Sequence, residues 1–155
     1  MKMKKYFVSL IATFILMGCD SNVVFREYRV FDNVSWNKQE ILNFDFPVQK
    51  NEGLDFYLAL RHHTYFPYSF IDVNITFFTP DGEMRSLDYH FRLKDKNLEW
   101  KADGMGDFWD IELPIRKDMI FNKTGICKVS IENKMNKTET PGIIEVGLIV
   151  KKTNQ

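Results

Sequence analysis

Three groups of side chains in this 155-residue chain have types and spacings that could do chemistry. The first is a single thiol. Cys19 follows Leu16-Met17-Gly18 at the end of a short apolar run, Tyr6 to Met17, which stands behind Lys2, Lys4 and Lys5. A basic segment, an apolar core and a small residue at the cut site make a secretory processing signal. Glycine directly before cysteine is the arrangement a lipoprotein peptidase accepts once that thiol carries a diacylglyceryl group. The run is too short to span a bilayer, which takes about 20 apolar residues. The expectation is a signal peptide over residues 1–18, a lipidated N-terminus and tether over 19–22 with Cys19 as lipid attachment, and one folded domain over 23–152.

The second group is acidic. Asp103, Asp107, Asp110 and Glu112 surround Gly104-Met105-Gly106. Two such carboxylates could serve a hydrolase as acid and base. The stretch lacks the alternating oxygen-ligand spacing of a calcium loop and the strand-to-helix setting of a phosphate loop. Gly104 and Gly106 therefore read as structural glycines that permit a sharp bend or bulge before a strand. The histidines give no metal site either: His62 and His63 are neighbours that face opposite sides of a strand, and His90 lies on another strand. The expected protein is not an enzyme, has no catalytic residues and uses no cofactor or metal.

The third group is aromatic. Tyr65-Phe66-Pro67-Tyr68-Ser69 lies between two expected strands, where binding residues are often carried. Tyrosine brings contact area and a hydroxyl at low entropic cost. Tyr65, Pro67, Tyr68 and Trp109 are the candidate contacts to a protein partner or a glycan, with Trp100 a further sugar-stacking ring. The alternative is a packed aromatic corner that closes one end of the fold.

The elements that would carry these groups follow from a period of two. Leu42, Phe44, Phe46 and Val48 alternate with polar residues, as do Leu54 to Leu60, Ile71 to Phe77, Leu87 to Leu93 and Ile144 to Val150. Such alternation marks half-buried strands. Thr79-Pro80-Asp81-Gly82 predicts a hairpin, with Gly82 tolerating positive φ. Asn51-Glu52-Gly53 predicts another, and Lys94 to Asn97 and Thr140-Pro141-Gly142 read as further turns. Eight or nine strands of this kind predict an all-β fold, a single antiparallel β-sandwich, Ig-like or jelly-roll-like, with a barrel as the alternative. Cys127 shares a strand face with Val129 and Ile131, which predicts an inert core thiol.

Charge narrows the partners. The chain holds 21 basic and 21 acidic residues. Loss of residues 1–18 removes three lysines, which leaves 18 basic against 21 acidic. A slightly acidic protein has no electrostatic reason to bind nucleic acid.

Several stretches in order resemble the gliding-motility lipoprotein GldH family of Bacteroidota. They are Cys19-Asp20-Ser21-Asn22, Phe25-Arg26-Glu27-Tyr28, Leu60-Arg61 with Tyr65 to Ser69, and Gly104-Met105-Gly106-Asp107 followed by Leu113-Pro114. Phe121 with Gly125, Lys134-Met135 and Pro141-Gly142-Ile143-Ile144-Glu145-Val146-Gly147-Leu148 complete the series. The resemblance implies a lipid-anchored protein of the cell envelope, associated with gliding and with type IX secretion, and no catalytic residues. The expected function is thus an accessory scaffold whose partners are the membrane, through acylated Cys19, and other envelope proteins. The periplasmic face of the outer membrane is the expected location, ahead of the inner membrane. A glycan- or peptidoglycan-binding module is the alternative.

Overall fold

The computed structural model describes residues 22–154. The expected signal peptide, Cys19 and residues 19–21 of the tether lie outside the described residues. Among the described residues there are eleven strands and no helix. In chain order they are β1 (Val23–Val30), β2 (Ser35–Asn37), β3 (Leu42–Val48), β4 (Gly53–His63), β5 (Phe70–Phe78) and β6 (Met84–Arg92). There follow β7 (Asp103–Met105), β8 (Phe108–Ile120), β9 (Gly125–Asn133), β10 (Glu139–Pro141) and β11 (Ile143–Lys152).

Two sheets form the sandwich. One runs β1-β11-β4-β8-β7 and the other β3-β9-β5-β6, with β2 and β10 as a separate short pair. All pairings are antiparallel. The pairs β1·β11, β2·β10, β3·β9, β4·β8 and β5·β6 trace one long ribbon in which the first half of the chain lies beside the second. Its tip is the turn Thr79-Pro80-Asp81-Gly82. Thr79 N donates to Glu83 O at 2.9 Å, and Gly82 takes φ +90. Folding that ribbon over itself deals its strands alternately to the two sheets, which is the jelly-roll order rather than the Ig-like one.

Alternation decides which side chains meet between the sheets. In β3, Leu42, Phe44, Phe46 and Val48 are buried and the residues between them are exposed. In β4, Leu54, Phe56, Leu58 and Leu60 face the same core. Phe56 stands at its centre, 5.9 Å from Phe46 and edge-on to Phe77 at 5.1 Å across the inter-sheet gap. Cys127 is fully buried beside Val129 and Ile131, and burial pushes its thiol up to about 12. A thiol held that high supplies no thiolate at neutral pH.

Four expectations change. Asn51-Glu52-Gly53 is not a hairpin: β3 pairs β9 and β4 pairs β8 and β11, so this turn carries the chain from one sheet to the other. Thr140 and Pro141 belong to β10, and the turn falls on Gly142 at φ +86. A register shift at Ile143/Glu145 turns Ile143 inward, fully buried, and leaves Ile144 half-buried. Leu87 lies on the core-facing side of β6 yet is 52% exposed, because β6 is an edge strand and the facing sheet does not cover it.

Candidate interaction surface

The solvent face of the five-stranded sheet carries a concave surface whose floor is made by small residues. Gly147 of β11 pairs in register with Ala59 of β4. A Cβ on Gly147 would come within 2.5 Å of the Tyr28 ring, so the glycine lets that ring lie across the sheet. Tyr28 and Arg26 wall one side, Asp103 and Lys101 the other, and together they enclose a concavity of about 640 Å³.

Arg61 governs the charge in it. Its Nε and Nη2 donate to the two carboxylate oxygens of Asp110 at 2.7 and 3.0 Å, and Nη1 donates to Glu145 at 3.2 Å. The hydrogen bond to Asp110 holds the guanidinium above its ordinary pKa. Next to it, Lys151 Nζ donates to Glu112 at 2.7 Å and sits over the Tyr57 ring. Asp103 pairs in register with Asp110, a like-charge juxtaposition that Arg61 offsets. Burial, with help from Glu112, Glu145 and Asp110, raises the Tyr28 phenol. The acidic group of the sequence is therefore divided. Asp110 and Glu112 are tied into ion pairs, and Asp107 lends its backbone to a turn. Among the described residues no three metal-ligating side chains converge.

One end of this face is apolar. Phe108 of β8 pairs with His63 of β4 on one side and Met105 of β7 on the other. Tyr65 stacks on His63 with ring centres 4.9 Å apart, and Phe108 meets the same imidazole edge-on at 5.9 Å. Tyr65 is 80% exposed and Met105 82%, which makes an exposed ledge of large side chains bordering the charged concavity. Gly106, at φ +62, with Asp107 forms the two-residue turn from β7 to β8 that brings Met105 against Phe108.

Trp109 points the other way from Phe108, as successive strand residues must. Its indole lies on Gly104, where a Cβ would be 2.6 Å from a ring carbon. Gly104 is thus a cradle for the indole; the turn belongs to Gly106. Trp109 Nε1 donates to Thr64 Oγ1 at 3.0 Å, and Thr64 N and Oγ1 both donate to Asp107 O. This small network locks the loop after β4 to the turn before β8.

The aromatic loop is split accordingly. Tyr65 goes outward to the ledge, and Pro67 is exposed. Phe66 is buried, with its Cα held close by Gly142. Tyr68 is half-buried and meets Phe66 edge-on at 5.6 Å. Trp100 joins the same inner group, 4.4 Å from the His62 ring, with Lys94 Nζ 4.1 Å above its face. Tyr65, Tyr68, Trp100 and Trp109 do not present their faces to one groove. His63, Met105 and Phe108 were not singled out from the sequence. The signal was present: with Trp109, Ile111, Leu113 and Ile115 turned inward, Phe108 falls on the same face as Asp110 and Glu112.

The family model described as GldH lipoprotein matches residues 23–150. A curated relative, the gliding motility lipoprotein GldH homolog of Christiangramia forsetii, is 26% identical over 158 residues, covering 96% of this chain and 95% of its own. Among solved structures, the infectious bursal disease virus VP2 subviral particle overlays with TM-score 0.38 and 15% identity, covering 88% of this chain and 34% of the viral one. The Gx strain of that virus overlays with TM-score 0.27 and 10% identity, covering 86% and 38%. This chain thus spans little more than a third of those viral chains.

Proposed function

The chain belongs to the GldH lipoprotein family, and from that membership we propose that it is a non-enzymatic envelope scaffold held to the membrane through an acylated Cys19. It serves gliding motility and the type IX secretion machinery associated with it, from the periplasmic face of the outer membrane. The observation that carries this reading is the family match, which takes in nearly the whole sandwich, together with the lipoprotein-type signal ahead of it.

The physical logic is confinement. One acyl chain binds membranes reversibly, whereas two or three hold stably. A domain held in a thin layer meets other anchored proteins at a raised effective concentration. The ledge of Tyr65, Phe108 and Met105 supplies what a partner contact needs, large apolar side chains beside charged groups. The glycan alternative draws less support, since one face of Trp109 is covered by Gly104 and Tyr68 is turned into the inner aromatic group.

Cys19→Ala tests the reading. The variant is expected to leave the membrane fraction and to lose metabolic labelling by a clickable palmitate. A variant that still sediments with the envelope through a detergent-sensitive lipid linkage would overturn it.

A further inference from the structure

The sandwich has four sheet edges, and three are guarded against pairing. In the four-stranded sheet, β3 carries Pro47, which has no N–H to offer. Its neighbour across the closed side, β1, shifts register between Val23 and Phe25, and Arg29 crosses from it to Asn43 O of β3 at 3.0 Å. At the other end of the large sheet β7 is only three residues long. The stretch of β8 beyond it holds Pro114, two register shifts against β4 and Asp118 at φ +50. Short strands, prolines and bulges are the usual means of blunting an edge.

The fourth edge, β6, has none of these. It pairs with β5 one-to-one over nine residues, without proline, glycine or bulge. Leu93 N donates to Ser69 O and Thr79 N to Glu83 O, so the odd-numbered residues between them bond to β5. Met84, Ser86, Asp88, His90 and Arg92 therefore aim their N–H and C=O groups away from the sheet. Among the described residues the Arg92 carbonyl meets Lys101 Nζ at 3.1 Å, and the others are open to a new strand.

We propose that β6 pairs antiparallel with β6 of a second copy of this chain, about a twofold axis at Tyr89, joining two four-stranded sheets into one of eight. The side chains fit this register. Geometry requires outward-bonding residues to face one another, and centring on Tyr89 sets Asp88 opposite His90 twice and Ser86 opposite Arg92 twice. On the core-facing side it sets Leu87 opposite Phe91 twice and Tyr89 opposite itself. A twofold centred on Asp88 would put two carboxylates face to face. One centred on Leu87 would put Arg85 against Tyr89 and leave Asp88 against Ser86. A twofold centred on His90 would set Asp88 opposite Arg92 but place His90 on His90 and leave Leu87 opposite Leu93, beyond the end of the strand, whereas the Tyr89 register faces Asp88 with the imidazole of His90 and Leu87 with Phe91 inside it. It also covers Leu87, which the monomer leaves half exposed.

The test uses the full-length lipoprotein in detergent micelles. Tyr89→Cys is expected to form a disulfide-linked dimer on mild oxidation. Its partner lies directly opposite at about 4.5 Å between Cα atoms, within disulfide reach. Leu87→Cys alone should not cross-link, but mixed with Phe91→Cys chains it should. Cys127 is buried and gives no background. Ser86→Pro removes an N–H that points away from β5, so the monomer's own ladder survives, and Asp88→Arg removes the carboxylate that faces His90 and puts a bulky donor there. Each should lower the dimer fraction at least tenfold with an unchanged far-UV spectrum. A wild-type chain that stays monomeric across the concentration range would overturn the proposal. So would a dimer indifferent to both substitutions, or a Tyr89→Cys chain that links only to a different protein in cells.

Discussion

His62 is the residue at which the fold accepts an unmet demand. It is fully buried at the inner end of β4, between Phe66 and Trp100. Its Nδ1 lies 3.1 Å from His63 O, which fixes that nitrogen as the donor. Nε2 is then a bare acceptor, and it is buried with no partner among the described residues. Burial lowers the imidazole pKa below its ordinary 6.5, and Lys94 above Trp100 adds to the effect. The sign follows from linkage. The unfolded chain takes up a proton at 6.5 that the folded chain refuses until a lower pH, so stability falls as pH drops through that window. His62→Phe keeps the ring and removes the proton site. Urea unfolding at a series of pH values below 6.5 is expected to show a shallower loss of stability in the variant than in wild type. Parallel profiles would mean that His62 does not carry the acid sensitivity.

At the scale of elements, the turn Thr79-Pro80-Asp81-Gly82 holds a special place as the tip of the ribbon. Gly82 has open space around the position of a Cβ, so its glycine answers to φ +90 alone. Gly82→Ala should cost about 1 kcal/mol, seen as a lower urea midpoint with an unchanged m-value. An unchanged midpoint would show that the turn adopts a different conformation. This hairpin was legible in the sequence because its chemistry is local: proline, aspartate and glycine fall between two clean alternations. β3, β4 and β5 were legible for the same reason. What local pattern does not carry is the partner of each strand. Val23 lies against Lys151 and Phe46 against Cys127, and nothing near either residue specifies the other. The turn at Asn51 to Gly53 was misread as a hairpin on that account. Alternation also says which residues share a face without saying whether another layer covers it, which is how Leu87 came to be expected in the core. At the candidate surface the sequence found Tyr65 and grouped it with Trp109. Strand parity then sent Trp109 inward and brought His63, Phe108 and Met105 to Tyr65 instead.

Across the whole molecule, the two ends of the five-stranded sheet are differently equipped, and the chain's own path says which end faces what. Asn22, at the start of β1, accepts a hydrogen bond from Lys152 N and lies at the end of the sheet where β4 begins with Gly53. The ledge of Tyr65, Phe108 and Met105 lies where β4 ends, at His63. Eleven residues of extended chain separate those ends, roughly 35 Å at the rise of a strand. Only Asp20 and Ser21 stand between Cys19 and Asn22, and that much chain reaches about 10 Å at most. On the proposed anchor, the end carrying Asn22 is therefore kept near the lipid surface, and a sandwich standing upright on it carries the apolar ledge away. That is the disposition required of a surface meant for a protein rather than for the bilayer. A photo-crosslinking amino acid placed at Met105 in living cells is expected to trap an envelope protein, and one placed at Ile120, beside the Asn22 end, to label lipid more than protein. Lipid labelling at Met105 equal to that at Ile120 would mean that the sandwich lies flat on the membrane, and the ledge would lose its role as a partner site.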